Sequence, residues 1–594
     1  IKWRPTRTLR SILGVENEAF QSNADSAREA LSRLKENRKS VTFRSPCALA
    51  ANLYGAWQSE HEPDYVVSTI DCDATLSAKR RKNALNAWHY TFEADSWVNV
   101  TAAALATTFA ERGIQTLVFT PANRHYPFSN GNKVQLSEAT LERLPGSPDL
   151  VDACKVLAEY ELGCDSLVYE MLERGIAVHT SLMLETEKIG SELMFRQHGA
   201  PIMFATGTLA QGLNLPAIAV IIAGSRIGDT RGEEVDVIER RKFSQLLNAA
   251  GRAGRAGFAN QGLVVAVPDT PVVFSDFQKV LEVREQMDYL QQSDDAVAVE
   301  SGLAEFLDAV CNRSLQSESA SILELQVLSL LTGGDETQLD PHAVLKRTYA
   351  SYLRSKSDKP EVTPNDTKRL VEVSAKFIAD TNAPEWLTIA AQRAGLDFFL
   401  TLSISTAWAR VRNELPAECR TWTVREWLDE FLRLVAYIPP GLLSRQLPVS
   451  KLTHVSSEFK DLAKSQDAVL FEISMTWKPS KRWLNAWKSA EEPLAAWMNG
   501  KSLAEVAAIV TDTSLGNIPK DRTAGKPIPK ALAISADSWS RLSLVAGGFL
   551  SIAEQLLDGT VPISLACLPM CIKYGCDSPG ALAWFRFGVR LRRP

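Results

Sequence analysis

Five short apolar runs, separated by stretches of helical spacing, constrain this chain more than any other feature. They are Gln115–Thr120, Ile176–His179, Pro201–Ala205, Ile218–Ala223 and Leu263–Val267. Val98–Arg112, Leu167–Arg174 and Glu185–Gln197 between them carry apolar residues at helical intervals, with Pro121 and Gly175 as punctuation. A strand that is apolar residue after residue is buried on both faces. Such strands alternating with helices predict a parallel sheet covered by helices. We therefore read residues 91–285 as an α/β lobe. Beyond residue 285 the strand signal fades, and amphipathic stretches follow at Ser321–Leu331, Trp386–Trp408, Val424–Ala436 and Leu542–Leu557. Charged or Pro-rich breaks fall near residues 355–365, 438–448 and 513–530. Residues 286–594 read as a mainly α-helical accessory region, in two modules with a break near 440–450. Residues 1–90 are mixed: Arg7–Val15 reads as extended, and Ser26–Asn37 has helical spacing with Ala27, Leu31 and Leu34 on one face.

With 45% hydrophobic and 23% charged residues, a chain of 594 residues can bury a core in each of several domains. Its net charge of −5 excludes a polycation, so contact with nucleic acid must come from local basic patches. The nine cysteines include no Cys-x-x-Cys pair. Cys567, Cys571 and Cys576 lie close in sequence, but three thiols without a nearby histidine leave a zinc site one ligand short. Buried, reduced thiols in a cytoplasmic protein are expected, with no metal ligated by the chain. No run of about twenty apolar residues would span a bilayer, and no signal peptide opens the chain, so no membrane partner is expected. The beginning at Ile1 and the end at Pro594 read as cuts through a longer protein.

Two loops carry the chemistry. One is Asn248-Ala249-Ala250-Gly251-Arg252-Ala253-Gly254-Arg255-Ala256-Gly257, which sets two guanidinium groups among small residues. The other, upstream, is Ala205-Thr206-Gly207-Thr208-Leu209-Ala210-Gln211-Gly212-Leu213-Asn214-Leu215-Pro216. In their order and separation they resemble motifs VI and V of superfamily-two (DEAD/DEAH-box) helicases, closest to the Ski-like branch. Phe119, Thr120 and Pro121 resemble the end of motif IV, with polar Asn123, Arg124 and His125 following. The resemblance implies a RecA-like second lobe, with residues 1–90 as the connection from a first lobe and the start of the second. It implies ATP and Mg²⁺ as cofactors, bound mainly by that first lobe of the same protein, and single-stranded DNA or RNA as the track. Arg252 and Arg255 would project toward a nucleotide and stabilise charge on the transferred phosphoryl group. Gly212, Asn214, Asn248 and Gly251 would meet the nucleotide, whereas Thr120, Thr206, Gly207 and Thr208 would grip the sugar-phosphate backbone. Asn248 departs from the usual Gln or His, which puts the coupling role of that position in doubt. His179 reads as a packing residue at a strand end.

The other half of such an engine is missing from this sequence. Ala495-Ala496-Trp497-Met498-Asn499-Gly500-Lys501-Ser502 matches a loosened phosphate-binding loop, but Trp497 and Met498 are too bulky to let amides wrap a phosphate. It reads as an elbow between two helices. No DEAD- or DExH-type tetrapeptide occurs, so the chain alone is expected not to hydrolyse ATP. In the helical half, Trp477, Trp483 and Trp487 among Lys478, Lys481, Arg482 and Lys488 form the best candidate for base stacking, against a solvated helix face. The basic cluster Arg586, Arg590, Arg592 and Arg593 is a second candidate contact. The rival readings are a scaffold derived from a helicase, which binds nucleic acid or partners without turnover, and a translocase that never unwinds a duplex.

Overall fold

The structure is a computed structural model. It describes residues 7–33, 40–52, 65–82, 88–93, 97–121, 123–207, 215, 217–224, 249–254, 261–269, 271–274, 303, 307–308, 340–356, 361–380, 383–384, 386–396, 398–411, 416–439, 442–443, 478–523, 525–557 and 559–587. The chain forms two compact units. One comprises residues 1–297 together with 519–529, the other residues 298–518 and 530–594. The expected break near 440–450 falls largely outside the described residues, as does the stretch Ser321–Leu331.

The first unit is built on a ten-stranded mixed sheet. Its strands are β1 (Arg7–Glu16), β2 (Ser40–Asn52), β3 (Tyr65–Lys82), β4 (Trp88–Glu93), β5 (Thr116–Phe119), β6 (Ile176–His179), β7 (Ile202–Ala205), β8 (Ala219–Ala223), β9 (Gln261–Val267) and β10 (Val273–Phe274). They run in the order β4-β3-β2-β1-β9-β8-β5-β7-β6, with β10 beside β1. From β1 to β6 every neighbouring pair is parallel. Every residue of β5, β6, β7 and β8 is buried, as their unbroken apolar runs demand. Helices α1 (Asn17–Arg33), α2 (Trp97–Glu111), α3 (Tyr126–Gly131), α4 (Glu138–Leu141), α5 (Asp149–Leu162), α6 (Leu167–Glu173) and α7 (Glu185–Arg196) flank it. The expected α/β lobe is thus present.

Residues 7–93 contribute strands to the same sheet: β1 joins the parallel part beside β9, and β2, β3 and β4 extend it as an antiparallel meander. Helix α1 covers part of that extension, packing Ala27 and Leu31 against Ala78, Val41 and Phe43. The helix begins at Asn17, earlier than the spacing alone predicts, because Glu16 accepts bonds from the free amides of Glu18 and Ala19 at 2.9 and 2.7 Å.

The second unit is helical among its described residues, with Trp408, Trp427, Phe431 and Phe549 in one aromatic core. The stretch Trp386–Trp408 divides into helices Trp386–Ala394 and Phe398–Val411, parted by Gly395 at φ +64°. Among the described residues no helix is long and apolar enough to cross a membrane.

Candidate functional site

The described stretches that open the first motif-like loop, residues 205–207, and the arginine loop, residues 249–254, lie at opposite ends of the parallel strands. At the carboxyl ends, Thr120 follows β5, Thr206 and Gly207 follow β7, and Thr180 follows β6. The Thr120 amide donates to Ala205 O at 2.8 Å and that of Thr206 to His179 O at 3.2 Å, so the three strands end in register. Carboxyl ends of parallel strands are where α/β sheets gather ligands, because the loops leaving them splay apart there.

At the amino ends of β8 and β9 lies the arginine loop. Ala253 bridges Ala217, the Ala217 amide donates to Arg252 O at 3.3 Å, and that of Gly254 donates to Ala217 O at 2.9 Å. Ala217, which lies against this edge, is fully buried, and so is Leu215. Gly254 has φ +59°, and a Cβ there would stand 2.6 Å from the Gly262 amide nitrogen. Only glycine lets the loop cross β9 so closely. The chain thus passes from the carboxyl end of β7 to the amino end of β8 within residues 206–218, linking both edges by one short connection.

Several expected side chains sit elsewhere than the sequence suggests. Arg252 is 8% exposed, so it does not project freely from the lobe; its neighbours' backbone bonds hold the loop down onto the sheet. Thr120 is fully buried and its hydroxyl donates to Ala205 O at 3.2 Å, which ties β5 to β7 and leaves no hydroxyl to offer a phosphate. Thr206 and Gly207 are buried and Gly251 is exposed. Thr208, Gly212, Asn214, Asn248 and Arg255 lie outside the described residues. His179 packs as expected, with Nε2 3.2 Å from Glu192 Oε1. His125 does not reach for phosphate: its Nδ1–H donates to Arg522 O at 2.7 Å.

That bond belongs to a feature the sequence did not reveal. Residues 519–529, far along the chain, fold as part of this lobe. Arg522 is 1% exposed and donates through Nη2 to Glu187 Oε1 at 2.7 Å, while Glu187 is itself fully buried at the start of α7. Glu187 also accepts from Ser166 Oγ at 2.7 Å and from the Leu184 amide at 2.9 Å. The guanidinium lies 5.9 Å from the centre of the Phe128 ring, and Lys520 pairs with Glu170 and, at 3.7 Å, with Asp165. This strap braces the turn after β5. A basic residue in a Pro-rich linker carries no local mark of such a role.

The helical half corrects the stacking candidates. Trp483 and Trp487 are buried at 4% and 3% exposure and meet edge to face at 5.9 Å. The Trp483 indole donates to Ala436 O at 2.8 Å, so its polar edge is taken up inside the core. Trp477 lies outside the described residues, as do Arg590, Arg592 and Arg593. The elbow reading holds. Helix Lys481–Met498 stops at Asn499, Gly500 takes φ +69°, and Ser502 with Glu505 caps helix Leu503–Thr511 reciprocally. Cys571 and Cys576 are buried with their thiols toward Ser578 O and Tyr574 O, and burial raises the Cys571 and Cys567 thiols above their ordinary range.

Sequence comparison bears on what this sheet carries. The chain is 29% identical over 151 residues to the RQC trigger complex helicase SLH1 of Saccharomyces cerevisiae, which is 25% of this chain and 8% of that protein. It is 37% identical over 111 residues to the antiviral helicase SKI2 of the same yeast, 18% of this chain and 8% of that protein. To the ATP-dependent DNA helicase Hel308 of Pyrobaculum calidifontis it is 32% identical over 173 residues, 28% of this chain and 22% of that protein. These relatives are superfamily-two helicases. The chain therefore spans less than a quarter of the length of each of these three relatives. No model of a protein family matches it.

Proposed function

We propose that this chain is the second motor lobe and helical accessory region of an ATP-dependent nucleic-acid helicase or translocase. The observation that carries this reading is the two-edged sheet. The arginine loop meets Ala217 at the amino edge of β8 and β9, whereas Thr206 and Gly207 share the carboxyl edge with Thr120 after β5. A nucleotide held at the first edge and a strand at the second are then joined by residues 206–218, so a change at one is felt at the other. Arg255 and Arg252 stabilise charge on the transferred phosphoryl group, with the buried Arg252 also fixing the loop to its lobe. Gly212, Asn214, Asn248 and Gly251 adjoin the nucleotide, and Thr206, Gly207 and Thr208 grip the strand backbone without reading bases. The phosphate cradle and the Mg²⁺ ligands come from a first lobe. ATP bound there supplies the phosphoryl group whose transfer drives movement along DNA or RNA.

The test is ATP turnover by the protein joined to a first lobe, with and without single-stranded oligonucleotide. Stimulated turnover is expected, falling by roughly 10³–10⁵ in Arg255→Ala while oligonucleotide binding persists. Turnover that ignores Arg255→Ala overturns the assignment. The burial of Arg252 favours one rival, a helicase-derived scaffold, which would bind nucleic acid in a salt-dependent way with no ATP turnover.

A further inference from the structure

With Trp483 and Trp487 inside the core, an exposed aromatic pair elsewhere in the helical unit is free to meet a ligand. Helices α8 (Pro341–Lys346) and α9 (Tyr349–Ser355) form a compact elbow. Leu345 and Ala350 anchor it by burial, and Thr348 caps α9 by accepting from the Ser351 amide at 3.3 Å. His342 Nδ1 lies 3.2 Å from Thr367 Oγ1 of α10 (Pro364–Asp380), which braces the elbow from outside. From this rigid base Tyr349 and Tyr352, three residues apart on one helix, stand 46% and 55% exposed. Their rings are 6.1 Å apart at 25°, nearly parallel.

Charge gathers around them. Lys346, Arg347 and Lys356 are exposed, and the Lys356 ammonium lies 5.9 Å from the centre of the Tyr352 ring. Arg354 is turned inward and pairs with Asp308. Within residues 340–356 the only carboxylate is Asp340, and it is occupied in capping α8. On a chain of net charge −5, this is a local cationic surface with two exposed, nearly parallel tyrosine rings. An acidic peptide would use the cations but not the parallel rings. Flat bases strung at short intervals along an anionic backbone use both.

We propose that Tyr349 and Tyr352, with Lys346, Arg347 and Lys356, form a stacking site for single-stranded nucleic acid in the helical unit. This rests on the reading that the chain handles a nucleic-acid strand, and adds a contact remote in sequence from the motor loops. Bases stack on the tyrosines while the cations meet flanking phosphates, so recognition is insensitive to sequence and sensitive to salt.

The experiment is fluorescence anisotropy of labelled oligo(dT) and oligo(U) with this chain across a salt series. Tyr349→Ala and Tyr352→Ala are each expected to weaken binding roughly 5- to 100-fold, while Tyr→Phe at either position keeps most of it. Lys356→Gln is expected to reduce the salt slope by about 0.7. On an abasic strand, which keeps phosphates and lacks bases, the tyrosine variants should bind as the unaltered chain does. Binding unchanged in both Ala variants, or no binding by the unaltered chain, overturns the site. The helicase reading is judged separately by nucleotide turnover, so the two can fail independently. Since all of these side chains are exposed, the circular dichroism spectra of the variants should match that of the unaltered chain.

Discussion

Arg522→Met tests whether the strap is a structural member of the lobe or an incidental contact. The substitution keeps an apolar stem of similar length and removes the guanidinium from fully buried Glu187. Glu187 would keep its bonds from Ser166 and Leu184 but lose the one cationic partner it has among the described residues, at 2.7 Å. Removing one member of a buried ion pair costs about 3–5 kcal/mol, because the remaining charge stays desolvated. Hydrogen exchange read by mass spectrometry over residues 184–196 would register this locally. Amides there should exchange about a hundred- to a few-thousand-fold faster, at tenfold per 1.4 kcal/mol. Adding Glu187→Gln should restore most of the protection, since removing both charges leaves none uncompensated. Less than a tenfold change in Arg522→Met, or a double variant no better protected than the single one, would refute the reasoning.

Gly254→Ala should cost more than about 2 kcal/mol in denaturant unfolding, combining a left-handed backbone with a clash against Gly262; a loss below about 1 kcal/mol would show that the loop can move away. Trp483→Ala should cost about 3–5 kcal/mol by the cavity it leaves. Trp483→Phe, losing chiefly the bond to Ala436, should cost about 1 kcal/mol with oligonucleotide affinity unchanged, and an affinity loss there would return the indole to the binding surface. Glu111 is held below the ordinary carboxylate range: its slight burial opposes this, but the bonds it accepts from Ser137 and Thr140 prevail. Because the folded pKa is the lower one, its contribution is present above the unfolded value of about 4.3 and is lost as pH falls through the folded one. The stability gap between the protein and Glu111→Gln should therefore be widest near neutrality and close in acid, as unfolding curves at several pH values would register.

The parallel core was legible because burial on both faces writes itself locally, as in Leu117–Phe119 and Ile202–Ala205. The elbow at Gly500 was legible for the same reason, since Ser502 and Glu505 cap the helix that they begin. Strand β3 was not. Residues 71–76 alternate between exposed and buried, and the strand ends in charged Lys79–Lys82, a pattern that also suits a polar loop. The tryptophans misled because indoles four apart among lysines look alike whether the stripe faces water or core; only the packing partner Ala436 decides. The depth of Arg252 was not legible either: the sequence tells which residues can bind an anion, but how deep the loop lies depends on Ala217 and Gly262 beside it.

The strap has a consequence for how the protein is made. Glu187 and Arg522 are 335 positions apart, so the ribosome finishes the sheet well before it supplies the residue that neutralises it. At roughly 5–20 residues per second, that interval is on the order of tens of seconds. Throughout it a carboxylate destined for the interior has no counter-charge, so the start of α7 stays open to water until residues 519–529 arrive. Maturation of this unit thus waits on translation of residues far downstream of its sheet.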